Sequence, residues 1–265
     1  MTSAKQLLAS DYDKTYFYKT NPDALKANLE AVEKWRAKGN LFAISTGRDA
    51  ASIGYERKVR DVDYDYLVSL NGSFIVDKDD NVLFKSAIEN PLAKEIAAML
   101  KKYFGDELIV SNGFDGCNFT NRQNSQTDPV AREAFERNSK IYSKTVEESL
   151  EGEVLLLGGL SSDFEQATKI REEILSLYSD IVEVFINLNY INIVPKGISK
   201  ASGIETIAKH AGVSVNEVLA IGDDYNDIPM LESFNGYAVN NAKPEVKEVA
   251  LEVFDSVAEL IEQRI

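Results

Sequence analysis

"QLLASDYDKT", residues 6–15, sets an apolar run of strand length against two aspartates at alternate positions. Residues i and i+2 of an extended segment point the same way, so Asp11 and Asp13 face one site where a buried strand ends. An ionised carboxylate is costly to desolvate and needs a cation, a set of donors or open water. Two of them close together repel, which suits a divalent cation between them.

Outward from this stretch the same arrangement recurs. "NLFAIS" (40–45) and "EVLAIGD" (217–223) read as further short buried strands with polar or glycine ends. Between the first two, Asn21-Pro22 reads as an N-cap and first-turn proline. Leu25, Leu29, Val32 and Trp35–Arg36 follow at helical spacing, and Gly39 closes the helix. Later, Ser199 opens a helix through Ile204, Ile207, Ala208 and Ala211 that stops at Gly212, and Ser214 and Glu217 have capping-box spacing. Strand–helix–strand alternation predicts an α/β fold with a doubly wound parallel sheet, whose ligands sit beyond the carboxyl ends of the strands. Asp11, Thr46 and Asp223 fall at such ends.

The segment 86–194 differs. It mixes helical stretches, "NPLAKEIAAMLKKYFG" and "DFEQATKIREEILSLYS", with alternating strands in "VEVFINLNYINIV". It is expected to be an α+β domain inserted into a core made of 1–85 and 195–265. The two crossings, near 85 and 195, are expected to act as hinges.

Composition narrows the function. The chain has 265 residues, 44% apolar and 27% charged, and 29 basic against 43 acidic side chains leave a net charge of −14. That sign opposes phosphate-backbone binding, so nucleic acid is excluded as a partner. A single cysteine, Cys117, gives neither a disulfide framework nor a thiolate metal cluster and is expected to be packing filler. The longest apolar stretches, such as "VLLLGGL" (154–160), are too short to span a bilayer, and Asp11 comes too early for a secretory leader. The expectation is a soluble cytoplasmic protein with no membrane partner; the sequence sets no oligomeric state.

Three further clusters carry chemistry. "STGR" (45–48) offers a hydroxyl and a glycine-freed N–H at a strand end, able to hold phosphate oxygens or to form a plain turn. "PKGISKASG" (195–203) puts Lys200 in a first helical turn, where the macrodipole disfavours a cation unless an anion is near. "IGDDYNDIPML" (221–231) packs Asp223, Asp224, Asn226 and Asp227 just after a strand, the oxygen density a Mg²⁺ site needs.

Together and in this order, "DYDKT", "STGR", "KGISKASG" and "GDDYND" resemble the four signature motifs of the haloacid dehalogenase (HAD) superfamily. One helix separates the first two motifs and the large insertion follows the second. That placement is similar to the Cof-type branch (subfamily IIB), with its type II, subclass B cap. "LNGSFI" (70–75), "YINIVPKGISK" (190–200) and "VNNAKPEVKEVA" (239–250) also look like Cof-type sequence.

The resemblance implies a Mg²⁺-dependent phosphatase acting on small phosphorylated metabolites through an aspartyl-phosphate. On it, Asp11 is the nucleophile and a metal ligand. Asp13 is the general acid and base and touches the metal through its backbone carbonyl. Asp223 is a metal ligand, and Asp227 supports the metal from behind or through water. Thr46, the Gly47 N–H, Lys200 and Asn226 hold the phosphoryl oxygens, with the Tyr12 N–H completing the cradle. A sugar phosphomutase using the same phosphoaspartate is the alternative, and a phosphoacceptor signalling domain the rival from another class. Asn71 near the junction and Asn192 on the last strand of the insertion are candidates for substrate contact or for structure. His210, the single histidine, is expected to be structural or exposed. Two positions depart from the family: Lys14 stands where Gly is common, adding charge near the site or pointing to solvent, and "LEVFDSVAELIEQRI" (251–265) is expected to form only a final helix.

Overall fold

The computed structural model describes residues 5–265, and its first strand ends where the sequence puts it. β1 (Leu7–Ser10) is wholly buried. It lies between β2 (Leu41–Ser45) and β11 (Val218–Gly222), parallel to both. The eight-stranded sheet runs β13 (Glu252–Phe254), β12 (Asn235–Val239), β11, β1, β2, β3 (Tyr66–Ser69), β4 (Phe74–Asp77), β5 (Val82–Lys85). It is parallel from β13 to β3, and β4 folds back antiparallel on β3. The chain winds outward from β1 in one direction first and in the other later. The strand order therefore reverses at β1, where crossover loops part and leave room for a ligand.

α1 (Pro22–Ala37) starts as expected, with the Asn21 side chain accepting from the Ala24 N–H and proline in the first turn. It buries Leu25, Ala31, Val32 and Trp35, and the Trp35 indole donates to the Leu41 carbonyl. α2 (Ala50–Arg60) follows β2, and α7 (Lys200–Ala211) is capped by Ser199 and closed by the left-handed Gly212. Gly203 lets α7 approach closely, since a Cβ there would lie 2.3 Å from Val68 Cγ1. α8 (Ile228–Ser233), α9 (Pro244–Val249) and α10 (Val257–Glu262) complete this part.

Two sequence expectations fail. Ser214 precedes a single 3₁₀ turn, Val215–Glu217, and makes no side-chain capping bond, because three residues before β11 leave no helix to cap. Residues 251–265 hold more than a helix: β13 joins β12 as an edge strand before α10 begins.

The inserted segment builds its own antiparallel sheet, ordered β7 (Gly116–Asn118), β6 (Leu108–Ser111), β8 (Leu156–Leu160), β10 (Tyr190–Pro195), β9 (Val182–Asn187). α3 (Asn90–Phe104) and α6 (Phe164–Tyr178) pack Ile96, Leu100, Ile170 and Ile174 with Leu108, Val110, Leu157, Ile191 and Ile193. Gly159 admits Phe104, whose ring atom would sit 2.4 Å from any Cβ there. α4 (Pro129–Ile141) and α5 (Val146–Leu150) fill the connection from β7 to β8. By packing, the chain divides into one unit of residues up to Thr46, 60–84 and 199–265, and a second of 47–59 and 85–198. α2 thus groups with the insertion. Among the described residues no helix is long and apolar enough to cross a membrane.

Candidate active site

β1 and β11 deliver their terminal carboxylates side by side. The Asp11 N–H donates to the Ile221 carbonyl (2.9 Å), so the end of β1 is held in register with β11 just before Asp223. Carboxylate oxygens of Asp11, Asp223 and Asp227 all lie within 4.8 Å of one another, and all three residues are buried. Lys200 Nζ, fully buried, donates to Asp11 Oδ1 (2.6 Å) and Asp227 Oδ1 (2.5 Å). The lysine in a first helical turn, odd in the sequence, is explained by these two anions.

Asp227 is tied on both sides. Its Oδ2 accepts from the backbone N–H groups of Asp223 (2.9 Å) and Asp224 (3.0 Å). Gly222 makes room for it, since a Cβ there would lie 2.4 Å from Asp227 Cγ. Asp223 Oδ1 accepts from the Thr15 hydroxyl (3.0 Å). Thr15 was not singled out in the sequence; a hydroxyl two residues past Asp13 was the available signal.

Among the described residues, three buried carboxylates share the Lys200 ammonium, which leaves an excess of negative charge. Burial raises Asp11 well above the usual carboxylate range, against the pull of Lys200. Asp223 is pushed up to about 7 by burial and then by Asp227, against the Thr15 hydrogen bond and Lys200. Burial pulls Lys200 down, but Asp11 and Asp227 outweigh it and leave the ammonium above its ordinary value. A hard divalent cation would relieve this repulsion, and the donor set of carboxylate oxygens fits one. Among the described residues the cluster contains no cysteine or histidine; exposed His210 stacks edge-on against Tyr66.

The other expected residues are placed as follows. Tyr12 is buried between the two aspartates, stacked on Phe17 at 5.4 Å. Asp13 is half-buried and bridges to Phe17, outside the side-chain cluster. Lys14 has φ +64° and an exposed side chain, so it points to solvent; the left-handed backbone explains why Gly suits this position. Thr46 is buried at the end of β2, its N–H donating to the Val68 carbonyl (2.8 Å). Gly47, half-buried, opens the stretch that groups with the insertion. Asn226 is buried, its Nδ2 donating to Asn71 Oδ1 (3.0 Å). Asn192 lies elsewhere, on β10 opposite Gly158 and Phe185.

Known proteins resemble this chain along most of its length. A family model described as haloacid dehalogenase-like hydrolase matches residues 8–260. The stress response protein YhaX of Bacillus subtilis is 27% identical over 256 residues, covering 93% of this chain and 87% of that protein. A solved haloacid dehalogenase-like hydrolase from B. subtilis superimposes with a TM-score of 0.84 at 20% identity, covering 98% of this chain and all of that one. The HAD subclass IIB sugar phosphatase BT4131 gives a TM-score of 0.76 at 24% identity, covering 98% of this chain and 99% of that one.

Proposed function

The chain belongs to the haloacid dehalogenase-like hydrolases, and we propose that it is a Mg²⁺-dependent phosphatase of small phosphomonoesters such as sugar phosphates. The observation that supports this reading best is the buried Asp11–Asp223–Asp227 cluster with Lys200 donating to two of its carboxylates. In the proposal Asp11 and Asp223, with the Asp13 carbonyl, hold Mg²⁺, which would neutralise the carboxylates and polarise the phosphoryl group.

Asp11 Oδ attacks phosphorus and the bond from phosphorus to the ester oxygen breaks. Asp13, protonated at this point, gives its proton to the departing alkoxide. The product is a phosphoaspartate on Asp11. Asp13 then takes a proton from a water that attacks the same phosphorus. The bond to Asp11 breaks, and inorganic phosphate leaves with the carboxylate restored. The half-buried setting of Asp13 suits proton exchange, while buried Asp11 is shielded from water.

Lys200, Thr46, Asn226 and the N–H groups of Gly47 and Tyr12 hold the phosphoryl oxygens. Lys200 is the largest electrostatic contribution as charge spreads over them. Asp227 clamps Lys200 and the 223–224 backbone. The segment 86–194 belongs to the proposal as the part of the chain that selects the substrate.

The test is phosphate release from a panel of hexose phosphates, nucleotides and an intact phosphoprotein, with Mg²⁺ and in excess chelator. Release from small esters that chelation abolishes and Mg²⁺ restores is expected. Full turnover in chelator, or a wide preference for the phosphoprotein, would overturn the reading. Isomerisation of a hexose 1-phosphate without phosphate release would replace hydrolysis by a mutase.

A further inference from the structure

Asn71 sits in the tight turn between β3 and β4, a segment outside the four motifs, yet it is tied to two of them. Leu70, Asn71 and Gly72 are all left-handed, at φ +53°, +54° and +109°, and all three are buried. Side chains resist this conformation, least so Asn and Gly. The turn spends it on two hydrogen bonds. The Asn71 N–H donates to the Thr46 carbonyl (3.0 Å), and Asn71 Oδ1 accepts from Asn226 Nδ2 (3.0 Å).

The side-chain pair is also left incomplete. Among the described residues, Asn71 Nδ2 and Asn226 Oδ1 are buried with no hydrogen-bond partner. Unmade bonds on buried amides are costly, as is a run of left-handed residues, and such features persist where they hold functional groups in place. A hairpin turn often uses left-handed residues, Asn-Gly above all, but joining β3 to β4 needs neither of these links.

We propose that Asn71 is a positioning residue for phosphoryl binding, setting Thr46 through its backbone and aiming Asn226 through its side chain. This rests on the roles given to Thr46 and Asn226 above. Substrate need not touch Asn71, which acts by limiting where those two donors can point. Its loss weakens the grip on the phosphoryl group and leaves the metal ligands as they were.

The test uses Asn71→Gly, since glycine is at ease at this φ and keeps the link to Thr46 while deleting the one to Asn226. Tungstate serves as the phosphoryl analogue, with Mg²⁺ present, and binding is measured by calorimetry. Asn71→Gly is expected to weaken tungstate about tenfold, the size of one net hydrogen bond, with the Mg²⁺ concentration for half-activation unchanged. In an Asn226→Ala background the same change should add nothing, because the bond it deletes is already gone. Independent, multiplying effects of the two substitutions would overturn the proposal, as would wild-type affinity in Asn71→Gly. In the wild-type protein, NMR of the side-chain amides gives a second reading: tungstate should shift Asn71 and Asn226 together, and an unmoved Asn71 resonance overturns the proposal without any variant. Coupled tungstate binding without phosphate release would sink the phosphatase reading alone, and phosphate release without coupling would sink the positioning role alone.

Discussion

Asp11 and Asp49 are both buried aspartates just beyond a core strand, and they are satisfied in opposite ways. Asp11 shares one lysine with Asp227 and lies among like charges. Asp49 has three donors: the Ser52 N–H (2.8 Å), the Tyr142 hydroxyl (2.9 Å) and the Ser111 hydroxyl (3.2 Å). The Ala51 N–H adds a link from the first turn of α2 to the Gly113 carbonyl (3.4 Å). Burial still raises Asp49, to about 6, against the bonds from Ser52, Tyr142 and Ser111 and the pull of Arg48. The contrast separates two uses of a buried charge. A carboxylate crowded by like charges, as Asp11 is, suits a ligand, whereas one ringed by neutral donors, as Asp49 is, fastens elements together.

The largest expected effect breaks the comparison at its functional end. Asp11→Asn should lower phosphate release at least about a thousandfold, since it removes the nucleophile proposed above, while Asp49→Asn stays within roughly threefold at neutral pH. Comparable losses from both would erase the distinction.

Lys200→Ala sharpens it on the side of stability. Without the ammonium, Asp11 and Asp227 are left buried and uncompensated, and urea unfolding of the metal-free protein should show a loss of about 3–5 kcal/mol. An unchanged midpoint would mean that the cluster does not need its lysine.

The pH dependence of Asp49 has a smaller effect of definite sign. Its folded value lies above the usual carboxylate value near 3.8, so folding takes up a proton. The stabilisation is complete below about pH 4, falls as pH rises to about 6, and is flat above. From pH 4 to pH 7 the wild type should therefore lose about 2–3 kcal/mol more than Asp49→Asn in urea unfolding. Parallel pH curves would show that Asp49 titrates as if exposed.

Tyr142→Phe is the smallest change. It removes one of three donors from Asp49 and should cost about 1 kcal/mol, read as a lower thermal midpoint. No change would mean that Ser111 and Ser52 alone satisfy the carboxylate.

The strand ends, and the polar residues that follow them, were legible in the residues alone. The alternation of Asp11 and Asp13, the apolar runs before Thr46 and Asp223, and the caps at Asn21 and Ser199 are local patterns, and local periodicity reports local structure. Lys200 was legible for the same reason, as a cation where the helix dipole disfavours one. Short polar segments escaped: Ser214 looked like a cap with no helix behind it, and residues 252–254 became a strand only because β12 offered an open edge. The convergence of Thr15 on Asp223, of Asn71 on Thr46 and Asn226, and of Ser111 and Tyr142 on Asp49 joins residues 208, 155 and 93 apart at the widest. The grouping of α2 with the insertion is of the same kind. Side-chain pairing at such separations leaves no period in the chain, because it depends on which elements the folded core brings together, and that was settled by tertiary packing alone.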